Sequence, residues 1–476
     1  MGDLTGLEGT TSGGTVTQTP ADTTTFDIVI LGAGSGGYAA ALRAAQLGKK
    51  VALIEKEKVG GTCLHVGCIP TKALLHVAEV ADEINHSNAV GITSSLDSID
   101  MKGVLSYKDG VVGRLYSGLQ GLIKAAGITV VEGDGKLVGP KTVEVNGQTY
   151  TGENIILATG SESRTLGVEI GGRVVTSTEA LTLAELPASV VIIGGSVIGV
   201  EFASVWKSFG VDVTIVEALP SLIPLEDPAL VKQLERAFRK RKINFKTGTK
   251  FTGVEQTGSG VIVTLENGEK LEADLCLVAV GRGPRSAGLG FEEAGITLDR
   301  GWVPTDERLR TNVPGVYAVG DLVPGLQLAH RGFGQGIFVA EEIAGLNPVL
   351  VPDVQVPKVT YSHPEVASVG LTEQQSVAEH GAEAVVSYEY NLAGNGKSEI
   401  IGTSGLVKIV RRKDGPVLGV HLVGDRVGEL ITEGQLAVGW EAHPEDIAPF
   451  IHAHPTQSEA LGEAFLALAG KPLHAL

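Results

Sequence analysis

The chain has 476 residues, enough for about three domains with large cores, and a formal net charge of −17 at pH 7. That charge opposes the phosphate neutralisation on which nucleic-acid binding depends and disfavours an anionic membrane surface, so no nucleic-acid partner is expected. No apolar run approaches the ~20 residues of a membrane span, which excludes membrane insertion, and three cysteines are too few for a secreted disulfide scaffold, which points to a reducing, cytoplasmic setting.

Residues 1–25 are rich in Thr and Gly, contain Asp3, Glu8 and Asp22, and have no Lys or Arg. They match neither a signal nor a transit peptide and read as a disordered N-terminal arm. Structure begins with the apolar run Phe26 to Leu31, a short buried strand. Gly32-Ala33-Gly34-Ser35-Gly36-Gly37 follows, then an Ala-rich helix to about Leu47 and a strand from Val51 to Ile54 closed by Glu55. Strand, tight glycine turn, helix, strand, acid is the order of a dinucleotide-binding unit. Gly32, Gly34 and Gly37 permit the turn and the approach of a pyrophosphate, the helix N-terminus faces the phosphates, and Glu55 holds a ribose.

Five residues later comes Gly60-Gly61-Thr62-Cys63-Leu64-His65-Val66-Gly67-Cys68-Ile69-Pro70-Thr71-Lys72. Five residues of regular helix rise about 7.5 Å, whereas a disulfide needs Cα atoms within roughly 7 Å. A bridge between Cys63 and Cys68 therefore requires a distorted start, which Gly67 and Pro70 allow. The expectation is an irregular turn entering a helix that runs to about Ile84. Two buried free thiols, or half a zinc site, are the alternatives. Zinc needs about four ligands, and the remaining cysteine, Cys276, lies in the apolar run Leu275 to Val280 and reads as inert core.

The layout of the first unit returns at Ser189 to Ile193, Gly194-Gly195-Ser196-Val197-Ile198-Gly199, a helix through Phe209 and a strand Val211 to Val216 ending at Glu217. Glu55 follows Gly32 by 23 positions, and Glu217 follows Gly194 by 23. One such loop is weak evidence; two with matched acids are strong. Ser196 replaces the middle glycine of the second copy. Each copy also ends in an apolar strand closed by small residues, Ile155 to Gly160 and Leu277 to Arg282. A third, Val316 to Asp321, has no glycine loop and is expected to return to the first domain, with Asp321 placed for a polar cofactor contact or as a helix cap.

Thiols exchange electrons by sulfur attack, nicotinamide moves hydride, and a flavin serves both. The thiol pair adjoins the first unit, which is therefore assigned FAD. The second is assigned a nicotinamide nucleotide, and Glu217, where an NADP site favours Arg, selects NAD.

Over about residues 26 to 470 the sequence resembles the pyridine nucleotide-disulfide oxidoreductases. The most specific pieces are Gly60 to Lys72, the paired glycine loops, Val316 to Asp321 and His454-Pro455-Thr456-Gln457-Ser458-Glu459. His65, Ser196 and Gln335 depart from the family pattern. The resemblance implies an α/β fold with two Rossmann-like dinucleotide-binding domains and a C-terminal α+β dimerisation domain. The boundaries are read as 26–164 with 284–351 for FAD, 165–283 for NAD, and 352–476 for the interface.

The resemblance further implies that Cys63 exchanges with substrate thiols while Cys68 lies against the flavin. Lys72 would sit near the flavin and pair with Glu201. Gly135, Asp321 and Ala329 match FAD contacts, and Val254, Gly281 and Arg282 match the NAD site. The implied partners are a dihydrolipoyl group on an acyltransferase or carrier protein, in service of a 2-oxo acid dehydrogenase complex, and a second copy of the chain.

Removing a proton from sulfur near neutral pH suits an imidazole. Of the eleven histidines, His363, His443 and His454 precede proline, and only His454 has an acid spaced to return to it. Local sequence reads Thr456 to Glu459 as a capping box, with Thr456 the N-cap. The resemblance implies instead that His454 is the acid/base, oriented by Glu459, reaching the disulfide of the other subunit. His452 stays a competitor. The rival functional readings are an NADPH-dependent reductase of a low-molecular-weight disulfide, a mercuric reductase, and a flavin-holding redox sensor without turnover.

Overall fold

The computed structural model describes residues 24–474. The expected N-terminal arm lies outside the described residues except for Thr24 and Thr25, which belong to the first strand instead: β1 is Thr24–Leu31, paired from its first residue with Tyr150. Backbone pairing along Gln148–Leu157 extends β1 past its apolar run.

Two parallel sheets repeat one plan. In the first, β1 lies between β2 (Val51–Glu55) and the strand Gln148–Leu157, with Ile30 opposite both Leu53 and Ile156. Thr129–Glu132 adds outside β2, and Val316–Ala318 returns to pair in parallel with Gln148–Leu157. In the second, Ser189–Ile193 lies between Asp212–Val216 and Leu275–Val278, with Ile192 opposite Ile215 and Leu277. The central strands are covered on both faces, so their sequences are nearly unbroken β-branched and leucine runs rather than alternating ones. Cys276 is fully buried in one of them.

The glycine loops explain themselves by clearance. A Cβ on Gly37 would stand 1.9 Å from the Gly32 carbonyl oxygen, and one on Gly199 would stand 1.9 Å from that of Gly194. These glycines let each helix, α1 (Ser35–Gln46) and Val197–Ser208, sit on its strand. Gly34 has nothing within 4 Å of a Cβ and a φ of −70°, so its small size is needed only for a ligand. Ser196 therefore occupies the matching position without strain, at φ −87°.

An antiparallel sheet, Phe251–Gln256 with Val261–Leu265 and Lys270–Ala273, packs beside the second parallel sheet. Residues beyond 352 form a five-stranded antiparallel sheet in which Glu365–Gly370, Val417–Gly424 and Leu406–Arg412 lie side by side. The helix Glu459–Leu468 packs on it, burying Leu461, Ala464 and Phe465.

The thiol segment divides into α2 (Gly61–Val66) and α3 (Cys68–His86), broken at Gly67. A Cβ there would meet the Thr62 carbonyl oxygen at 2.8 Å, so no larger residue fits the break. The second helix runs two residues past the expected end. Leu74 and Ala78 of α3 share a core with Phe202 and Trp206 of the second parallel unit and with Val366 and Leu406 of the C-terminal sheet. The helix that begins at Cys68 is thus the common wall of all three parts.

Candidate active site

A cavity of about 1060 Å³ runs along the C-terminal ends of the first sheet, at the upper edge of the roughly 300–1,000 Å³ that small-molecule sites occupy. It is lined by Gly32, Gly34, Glu55 and Gly135, by Cys63, Cys68, Lys72 and Glu201, and by Gly281, Arg282, Asp321 and Ala329. The strands deliver these groups because parallel sheets place loops and helix N-termini together at one edge. Gly37, Gly194, Gly199, Glu217, Val254, His454 and Glu459 do not line it. Val254 sits on an antiparallel strand and packs against the second core.

Both acids of the paired units are fixed alike. Glu55 accepts from the Ala33 N–H at 2.8 Å and the Glu57 N–H at 3.0 Å, and Glu217 from the Gly195 N–H at 2.6 Å and the Leu219 N–H at 2.8 Å. Each carboxylate is therefore pinned across its own glycine loop, with lone pairs left over for ribose hydroxyls. Neither Gly34 nor Ser196 caps its helix with a side chain, so the first helical N–H groups stay open to phosphate. In the first unit, whose Gly32, Gly34 and Glu55 line the cavity, these features fit a dinucleotide there.

Cys63 and Cys68 are both thiols. Their environments drive them apart. The S–H of Cys63 donates to the sulfur of Cys68, which together with burial pushes the Cys63 thiol far up. The same hydrogen bond, opposed by burial and helped by the Lys72 ammonium, brings Cys68 down to about 7. Cys68 is the sulfur that carries negative charge most readily. Cys276, by contrast, is pushed up to about 12 by burial alone. No group of three or more His, Cys, Asp and Glu side chains able to hold a metal occurs among the described residues.

Lys72 Nζ donates to both carboxylate oxygens of Glu201 at 2.9 Å, and the Glu201 side chain is only 4% exposed. Tyr361, from the C-terminal part, completes the pair. Its backbone N–H donates to Glu201 at 2.9 Å, and its ring lies 4.5 Å from Lys72 Nζ. At the junction of the two parallel units, Ser161 Oγ donates to Asp321 at 2.7 Å, while Arg282 donates to Ser161 Oγ at 2.8 Å and to its carbonyl at 2.7 Å. Burial raises Asp321 above the usual carboxylate range. Asp321 is thus a wall group of the cavity and caps no long helix.

His454 and Glu459 form their own pair, Nδ1 to Oε1 at 2.8 Å, with the imidazole 79% exposed. Burial acts to raise Glu459, but the Thr456 N–H and the His454 ring outweigh it and hold the carboxyl below its usual range. The expected capping box forms only in part. The helix starts two residues later, at Glu459, with no side-chain cap from Ser458, and the Thr456 hydroxyl donates to the Ala453 carbonyl at 2.6 Å instead of receiving an amide. His452 is bound elsewhere, to Glu433 at 2.9 Å. Within one chain the thiols and the exposed imidazole are not brought together.

Tyr361, Ser161 and Gln327 are wall residues that the sequence reading did not single out. Each stands beside a segment with a signal: Ser161 directly after Gly160, Gln327 two residues before Ala329, and Tyr361 two residues before the His363-Pro364 pair.

Residues 26–336 match the pyridine nucleotide-disulphide oxidoreductase family, and residues 356–465 match its dimerisation domain. The mitochondrial dihydrolipoyl dehydrogenase of Pisum sativum is 43% identical over 464 residues, 94% of this chain and 92% of that protein. The dihydrolipoyl dehydrogenase of Bacillus subtilis is 41% identical over 473 residues, 95% of this chain and 99% of that protein. The crystal structure of LpdA from Mycobacterium tuberculosis matches with a TM-score of 0.87 at 27% identity, covering 93% of this chain and 99% of that one. The chain belongs to the pyridine nucleotide-disulphide oxidoreductase family, in its dihydrolipoyl dehydrogenase branch.

Proposed function

We propose that this oxidoreductase oxidises a dihydrolipoyl group, carried on an acyltransferase or carrier protein, with NAD as acceptor. The observation that carries the reading is the Cys63 and Cys68 thiol pair in one cavity wall with the half-buried Lys72 ammonium, itself held by the buried Glu201 carboxylate at 2.9 Å. We assign residues 26–164 and 284–351 to FAD, 165–283 to NAD and 352–476 to the subunit interface. Gly32, Gly34, Glu55, Gly135, Asp321 and Ala329 would hold FAD, with Gly37 seating the loop. Gly194, Gly199, Glu217, Gly281 and Arg282 would serve NAD. Val254, on the strand Phe251–Gln256 beside the second parallel sheet, would also line the NAD site.

In the oxidised protein Cys63 and Cys68 share a disulfide. His454 of the partner subunit takes the proton from one substrate thiol, and Glu459 orients the imidazole through its 2.8 Å bond. The resulting thiolate attacks Cys63 sulfur, and the bond to Cys68 breaks. Cys68 leaves as a thiolate, which its acidity of about 7 and Lys72 favour. The second substrate thiol then displaces Cys63, closing the substrate disulfide and leaving the protein with two more electrons. Bound FAD supplies the acceptor for that electron pair and the route by which it reaches NAD as hydride. The exposed His454 is why a homodimer belongs to this reading: one chain holds the thiols and its partner the base.

Glu217 favours NAD, since its pinned carboxylate accepts from ribose hydroxyls and repels a 2′-phosphate. The test is steady-state turnover with dihydrolipoamide and NAD, set against NADPH with glutathione-type disulfides. Strong NADH formation is expected in the first assay. Its absence in a protein that retains FAD would reject the proposal.

A further inference from the structure

The cavity contains a donor for which the chain supplies no acceptor. Gln327 lines the wall, and its side-chain amide nitrogen is buried without a hydrogen-bond partner among the described residues. Leaving a buried donor unpaired costs ~1–3 kcal/mol, and native structures leave few such groups. The unpaired amide therefore points to an acceptor brought by a ligand.

Neighbouring contacts place it on the thiol side. Gln327 stands just before the helix Ala329–Ile343, whose N-terminus has no side-chain cap. His330, one turn on, donates from Nε2 to the Pro357 carbonyl at 2.7 Å. From there the chain passes Val359 and Tyr361, both on the cavity wall, and the Tyr361 ring covers Lys72, four residues after Cys68. The part of a bound FAD that must lie beside the thiols is the isoalloxazine, and that ring presents carbonyl oxygens and nitrogens as acceptors.

We propose that the Gln327 amide donates a hydrogen bond to the isoalloxazine of bound FAD and sets its reduction potential. The inference rests on the FAD reading above. A hydrogen bond to a group gaining negative charge is worth about twice one to a neutral group. The amide therefore binds the reduced ring more tightly than the oxidised one.

The test uses purified holoenzyme of the full chain and two variants, Gln327→Met, which keeps length without a donor, and Gln327→Ser, which is too short to reach. Flavin potential is read by equilibration with a reference dye, the visible flavin band by absorbance, and FAD affinity by reconstitution of apoprotein. Both variants are expected to retain FAD more weakly by about 10-fold, to show a more negative potential, and to shift the flavin band. Potential, band and affinity equal to the parent in both variants would overturn the assignment. A parent protein purified without flavin and unable to take it up would overturn the FAD reading itself, a distinct result.

Discussion

Replacing Lys72 with methionine tests the electrostatics of the site from two directions. Among the described residues the ammonium is the one side-chain hydrogen-bond partner of Glu201, at 2.9 Å to both oxygens, and its removal leaves that carboxylate with the Tyr361 N–H. A buried charge stripped of its partner costs about 3–5 kcal/mol. Lys72→Met should lower thermal stability by that order, and Lys72→Met with Glu201→Gln should recover most of it, because no unpaired charge remains. Cys68 responds in parallel. Lys72 holds its acidity down while Glu201 pushes it up, so losing the cation alone should move the thiolate midpoint from about 7 upward by ~1–2 units, and the double variant should move it back. The assay is a pH titration of thiolate ultraviolet absorbance in the dithiol protein, alongside thermal unfolding. An unchanged Cys68 midpoint, or a double variant no more stable than the single one, would refute the reasoning.

Tyr361→Leu removes the ring 4.5 Å from Lys72 Nζ but keeps the backbone bond to Glu201; it should cost about 1 kcal/mol in unfolding experiments, while Tyr361→Phe stays near the parent. Burial raises the half-buried Glu365 to about 7. A carboxyl with a raised folded value stabilises the fold below its unfolded value and loses that contribution as pH rises through about 7. Urea unfolding should therefore show Glu365→Gln gaining on the parent between about pH 5 and pH 8, by up to roughly 3 kcal/mol; a pH-independent difference would count against it. Gly37→Ala places a methyl 1.9 Å from the Gly32 oxygen, whereas Gly34→Ala meets nothing within 4 Å. The first should lower the melting point of the apoprotein, and the second should leave that melting point alone while cutting FAD retention, as measured by bound flavin per chain.

The paired glycine loops were legible because each is a local pattern of strand, turn, helix and acid, and the duplicated pinning of Glu55 and Glu217 is its direct physical result. The break between the thiols was legible too, since Gly67 stands where a regular helix could not close a bridge. What escaped notice depends on contacts between distant segments. Tyr361 meets Glu201 across 160 positions and Ser161 meets Asp321 across another 160, distances over which periodicity carries no signal. Thr456 misled for a subtler reason: its hydroxyl is satisfied by Ala453, and the helix starts only at Glu459. Strand β1 began earlier than its apolar run because Thr24 and Thr25 are held by pairing with the neighbouring strand.

Anaerobic titration of the purified flavoprotein with dithionite tests the central claim most directly. The account predicts that the parent takes up twice the reducing equivalents per flavin of a Cys63→Ser variant, because the sulfur pair stores two electrons in addition to those of the ring. Equal uptake by the two proteins would contradict it.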